Sequence, residues 1–176
     1  MYSMRARFAP HAVKGRMAHP PKAEKIWLQK INTREKRFAI RSALAAAADT
    51  SLVKEKHRVS HSPMIIVDDF EKARKTKEVI SLLSKLMPHE LERCSIVKVR
   101  AGRGKMRGRR YKGRKGPLII ASKTCTMLRA ARAIAGVDAV SVKNLNAEVL
   151  APGTHPGRAV VTTKSALHEM EKIFGE

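Results

Sequence analysis

Apolar positions change their spacing from segment to segment along this chain, and each change marks an element. After Asn32, placed as a helix N-cap with Glu35 reaching back, the run TREKRFAIRSALAAAAD is rich in helix formers. It carries Phe38, Ile40, Leu44 and Ala47 or Ala48 as one stripe. Residues 64–67 (MIIV) form a short continuous apolar run with β-branched side chains, the mark of a buried strand. Residues 72–86 bring Val79, Ile80, Leu82, Leu83 and Leu86 to one helical face, and Pro88 stops them. Ile96, Val97 and Val99 predict a strand, and residues 118–121 (LIIA) another. A helix follows over about 124–134, closed by Gly136. Then come strands at 137–142 and 159–162 and a last helix at 165–174 before Gly175. Short apolar strands alternating with helices predict an α/β domain, with a mainly parallel sheet covered on both faces.

Two segments do not fit this alternation. Residues 1–25 show neither period and are broken by Pro10, Gly15, Pro20 and Pro21. They read as an extended arm without a core of its own, ahead of one domain over 26–176. The second is the loop 98–117. Its part KVRAGRGKMRGRRYKGRK holds ten cations and no acid in eighteen residues, with Gly102, Gly104, Gly108 and Gly113 among them. The chain of 176 residues carries a net charge of +22: +10 lies in residues 98–115, +5 in the arm and the remaining +7 in the rest. A core cannot absorb so many unpaired charges, because each buried charge needs a partner. A polyanion is the natural counter-surface, its condensed counterions displaced as the cations arrive.

Other chemistries fit less well. No apolar run nears the ~20 residues of a spanning helix, and the loop lacks the Trp, Phe and Leu of an interfacial one, so no membrane partner is expected. The arm's first residues lack an apolar leader. Gly108 and Gly113 have the first spacing of a phosphate loop, but Arg114 and Lys115 stand where Lys and Ser/Thr belong. The glycine pattern from Gly102 is one residue too long for a dinucleotide fingerprint, and the loop precedes a strand, not a helix. His57 and His61 read as solvated loop histidines, and Cys94 and Cys125 as reduced thiols. Asp68 and Asp69 follow a strand, where catalytic acids occur; a turn into a helix N-terminus accounts for them better. No catalytic set assembles, and neither cofactor nor metal is expected. Of seven aromatics only Tyr111 lies in the basic loop, so contact should be mostly with phosphate and sugar.

Three separated motifs now carry a resemblance: GRMAHPPKAEK (15–25), GRGKMRGRRYKGRKGPL (102–118) and NLNAEVLAPGTHPGR (144–158), joined by INTREKRFAIRSALAAAAD (31–49). Together they resemble ribosomal protein family four of the large subunit, in its archaeal or eukaryotic branch, over essentially the whole chain. The resemblance implies a three-layer α/β/α sandwich and a structural role: binding large-subunit ribosomal RNA beside neighbouring ribosomal proteins, in the cytoplasm, with no homo-oligomer. It also implies that residues 1–25 match the returning end of a loop that reaches the peptide exit tunnel. Members usually carry a first strand and an outgoing loop ahead of that point. The RNA-binding residues expected are Arg5, Arg7, Lys14, Arg16 and Lys22 in the arm. In the loop they are Lys98, Arg100, Arg103, Lys105, Arg107, Arg109, Arg110, Tyr111, Lys112, Arg114 and Lys115. His155 and Arg158 complete the set. An enzyme acting on RNA and an extra-ribosomal regulator, including one that binds its own messenger, are the competing readings.

Overall fold

The computed structural model describes residues 17–175, and its chain divides between Ile31 and Asn32 into two units. In the first unit, residues 17–31 hold no helix or strand and are exposed throughout. One turn links Lys25 N–H to Lys22 O at 3.3 Å, and the Lys25 ammonium lies 5.2 Å from the Trp27 ring centroid.

The second unit is built on six strands: β1 (Met64–Ile66), β2 (Lys98–Val99), β3 (Tyr111–Lys112), β4 (Leu118–Ala121), β5 (Asp138–Ser141) and β6 (Val160–Thr163). Its helices are α1 (Thr33–Ala48), α2 (Thr50–Lys56), α3 (Thr76–Leu86), α4 (Pro88–Ser95), α5 (Thr126–Arg132), α6 (Ala147–Leu150) and α7 (Lys164–Phe174). Four strands form one sheet in the order β1-β6-β4-β5, every neighbour parallel. Because side chains alternate across a strand, β4 feeds two cores at once. Ile119 and Ala121 join Val53 of α2, Val79 and Leu83 of α3, and Met127 of α5. Leu118 and Ile120 join Ile40 and Ala47 of α1, Leu150 of α6 and Ala166 of α7. The result is the mixed α/β fold expected, helices covering both faces of a parallel sheet.

Several local expectations are corrected. The run 64–67 is an edge strand with only β6 beside it, so Ile65 stays 56% exposed. Phe38 is exposed because residues 33–39, the first turns of α1, stand clear of the core. The Asn32 side chain makes no capping bond. The helix expected from residue 72 starts at Thr76, after a 3₁₀ turn at Asp68–Lys72. Pro88 ends α3 and also opens α4, where a missing N–H costs nothing. The strand expected at 96–99 stays out of the main sheet.

All four parallel strands end on the same side. There β4 leads to α5 on one face and β6 leads to α7 on the other, which makes the place where α/β proteins commonly seat ligands. Glu71 occupies it. Its carboxylate accepts from Ser122 N–H at 2.9 Å, Ser122 Oγ at 3.0 Å and Thr163 Oγ1 at 2.7 Å. Asp68 accepts from Ser165 N–H at 2.9 Å at the start of α7, and Asp69 pairs with Lys72 in the open. The two aspartates are thus turn and cap residues.

Candidate nucleic-acid interface

The basic segment enters and leaves at the opposite, amino end of the sheet, between α4 and β4. It is not an irregular loop. β2 and β3 pair antiparallel, with Lys98 opposite Lys112 and Val99 opposite Tyr111. Arg100 N–H donates to Arg110 O at 2.7 Å, extending the ladder. A 3₁₀ turn at Arg103–Arg107 closes the ribbon, and Gly108 follows it in the left-handed region (φ 77°), which glycine enters without steric cost. Arg109 N–H returns to Gly104 O at 3.1 Å, and Arg100 Nε donates to Arg109 O at 3.1 Å.

Hydrogen bonding therefore holds the ribbon's backbone, while its side chains point to solvent. Lys98, Arg103, Lys105, Arg107, Arg109, Arg110, Tyr111, Lys112, Arg114 and Lys115 are all exposed, and Arg100 partly so. Among the described residues, Lys115 alone of these cations has an acid partner, Asp138, at 3.0 Å. Like charges directly opposite each other weaken a ladder, and Lys98–Lys112 is one of only two paired positions here. Arg110 sits 5.6 Å from the Tyr111 ring centroid, a cation–π distance.

Arg158, expected to face RNA, is corrected. It is 1% exposed. Its Nε donates to Gly116 O at 2.8 Å, one Nη to Val149 O at 2.6 Å and the other to Asp138 Oδ2 at 2.7 Å. Gly116 N–H in turn donates to Gly136 O at 2.8 Å, so both backbone groups at the ribbon's root are held. Burial pushes the Asp138 carboxyl up, but hydrogen bonds and charge from Arg158 and Lys115 outweigh it and hold the pKa below the ordinary carboxylate value.

His57, expected in solvent, is also corrected: it is buried, with Nδ1 2.8 Å from Glu90 Oε1. Glu90, itself 2% exposed, accepts on its other oxygen from Arg58 N–H at 3.0 Å and Arg93 at 2.9 Å. Burial alone would raise the Glu90 pKa; the bonds from His57 and Arg58 N–H, with the nearby charges, bring it below its ordinary value. This node ties the end of α2 to α4 and sets Arg58 and Arg93 facing the ribbon. Sequence reasoning missed both arginines, since Arg58 meets Glu90 and Arg93 meets Lys56 O only across a long stretch of chain. An open groove of about 930 Å³ lies between, lined by Arg58 and Arg93 on the body side and by Lys98, Arg100, Lys112 and Arg114 on the ribbon. His61 is exposed and not part of it, and Cys94 and Cys125 are free thiols.

His155 is exposed on the turn before β6 and lines a smaller hollow of about 230 Å³ with Arg114, Lys115 and Lys56. Gly157, two residues on, has φ 87°, and a Cβ there would stand 2.7 Å from Leu52 O. Lys22 is exposed in the first unit, and Arg5, Arg7, Lys14 and Arg16 lie outside the described residues. No helix among the described residues is long and apolar enough to cross a membrane.

Fold and site together define an α/β domain that carries a charged, backbone-braced ribbon at the amino end of its sheet. The chain belongs to the ribosomal protein L4/L1 family, whose family model matches residues 3–173. It is 50% identical over 174 residues to the large ribosomal subunit protein uL4 of Nanoarchaeum equitans (strain Kin4-M). The match covers 96% of this chain and 65% of that relative, so the chain spans about two thirds of the relative's length.

Proposed function

We propose that this chain is a structural constituent of the large ribosomal subunit, binding large-subunit ribosomal RNA through its basic ribbon and supporting assembly of the subunit. The observation that carries the reading is the ribbon itself. Its cations are exposed apart from the half-buried Arg100, all but Lys115 lack an acid partner among the described residues, and two lysines oppose each other across its ladder. Such an arrangement is stabilised by phosphates. Family membership and the relative's name support the same partner. In this reading Lys98, Arg100, Arg103, Lys105, Arg107, Arg109, Arg110, Lys112, Arg114 and Lys115 contact the RNA backbone. Tyr111 and His155 supply ring contacts, and the arm's Arg5, Arg7, Lys14, Arg16 and Lys22 extend the interface toward the peptide exit tunnel. Neighbouring ribosomal proteins and a cytoplasmic location follow from the same role.

An enzymatic reading finds little support. Glu71 spans the carboxyl-end crevice, and the charged surface lies at the other end of the strands.

The test is filter binding to large-subunit RNA across a salt series, with co-sedimentation on sucrose gradients. If about six to ten phosphates are neutralised, affinity falls ~10³-fold or more between 50 and 200 mM salt. A flat salt response, or absence from the large-subunit peak, would overturn the reading.

A further inference from the structure

We propose that the groove between ribbon and body seats one unpaired nucleotide of the RNA. This rests on the RNA-binding reading above and adds to it the form of RNA that is recognised.

The groove has two kinds of lining. Cations face it from both sides: Arg58 and Arg93 from the body, Arg100 and Arg114 from the ribbon. Ile96 and Val99 also line it, each 58% exposed. Among the described residues no acidic side chain lines it. Glu90, which positions the body-side arginines, has both oxygens engaged by His57, Arg93 and Arg58 N–H. At about 930 Å³ the groove falls within the size range of small-molecule sites.

An intact RNA duplex suits only half of this lining. It presents phosphates and 2′-hydroxyls outward and keeps its bases stacked inside, so it would leave Ile96 and Val99 against water or against charge. An unpaired nucleotide has the matching two-part chemistry: an anionic phosphate at one end and a flat, weakly polar base at the other. Its phosphate and those flanking it meet the arginines, and its base packs on the aliphatic pair. An acidic peptide would meet the cations but brings no flat apolar face. The aliphatic surface is two residues wide, enough for one base and too small for a stacked run.

The experiment uses the full chain with two RNA hairpins of equal length, one fully paired and one carrying a single bulged 2-aminopurine. The bulged hairpin should bind about fivefold tighter, the low end of what stacking on an aromatic ring contributes, because the surface here is aliphatic. Its 2-aminopurine fluorescence should change on binding, a readout that needs no variant. The double variant Ile96→Ser/Val99→Ser should reduce bulged-hairpin affinity to that of the paired one, leaving the paired hairpin and the salt slope unchanged. Equal, tight binding of both hairpins with an unchanged fluorescence signal would overturn the proposal while the RNA reading stands. Failure of both hairpins to bind at low salt would overturn the two together. Loss of the bulged hairpin's advantage in the presence of poly-glutamate, with the paired hairpin still bound, would assign the groove to an acidic segment instead.

Discussion

Replacing Arg158 separates a structural arginine from an RNA-binding one. The guanidinium is buried and donates to Gly116 O, Val149 O and Asp138. In Arg158→Ala the two carbonyls lose charged donors in a site that water reaches poorly, at roughly 1–3 kcal/mol each. Asp138 is about a third exposed and keeps Lys115, so its share is discounted. The total is about 3–5 kcal/mol, the range for breaking a buried ion pair from one side. For a domain of this size that lowers Tm by about 6–20 °C. Arg158→Lys retains the charge but lacks the three-way fork, and should fall between. Urea unfolding followed by circular dichroism gives the loss, and RNA binding measured well below both melting temperatures should change little. Unaltered stability with collapsed RNA affinity would refute this reasoning and return Arg158 to the interface.

Replacing Arg107, Arg109, Arg110 and Lys112 together by Ala should leave the Tm of the free protein unchanged or slightly raised, since repulsion is relieved, while RNA affinity collapses; both are read on one preparation by melting and filter binding. Glu90 and Asp138 have folded pKa values below their unfolded ones, so the unfolded chain binds more protons and stability rises with pH. The contribution is present above about pH 4 and is lost as pH falls below it, which urea midpoints taken from pH 7 to pH 3 would record. Gly157→Ala forces a side chain into a left-handed backbone against Leu52 O, and a loss of about 1–3 kcal/mol is expected in the same unfolding assay.

The central strands and the amphipathic helices were legible because their burial follows from side-chain type alone. Leu118 to Ala121 is apolar at every position and buried at every position. The same logic hid whatever is held by buried polar groups. α4 reads as a polar stretch, yet its Glu90 is among the most buried side chains, and the two partners that justify this lie far back at His57 and Arg58. Arg158 counts as a surface cation in any composition argument. Only the fold brings Gly116, Val149 and Asp138 around it. The ribbon shows a third limit. Its charge was plain in the sequence, but the 3₁₀ closure and the two-residue ladder depend on backbone bonds that no periodicity announces.

The parallel run of the strands gives this domain a front and a back. Every strand of the four-stranded sheet enters from the charged side and leaves toward the side where Glu71 and Asp68 tie the turns together. On the proposed function, a polyanionic partner is steered toward the front, where the cations are concentrated. Orientation on that partner is therefore decided largely before any specific contact forms. On the proposed function, a bulky reporter attached at Lys123, exposed on the turn after β4, should leave RNA binding through the ribbon unchanged.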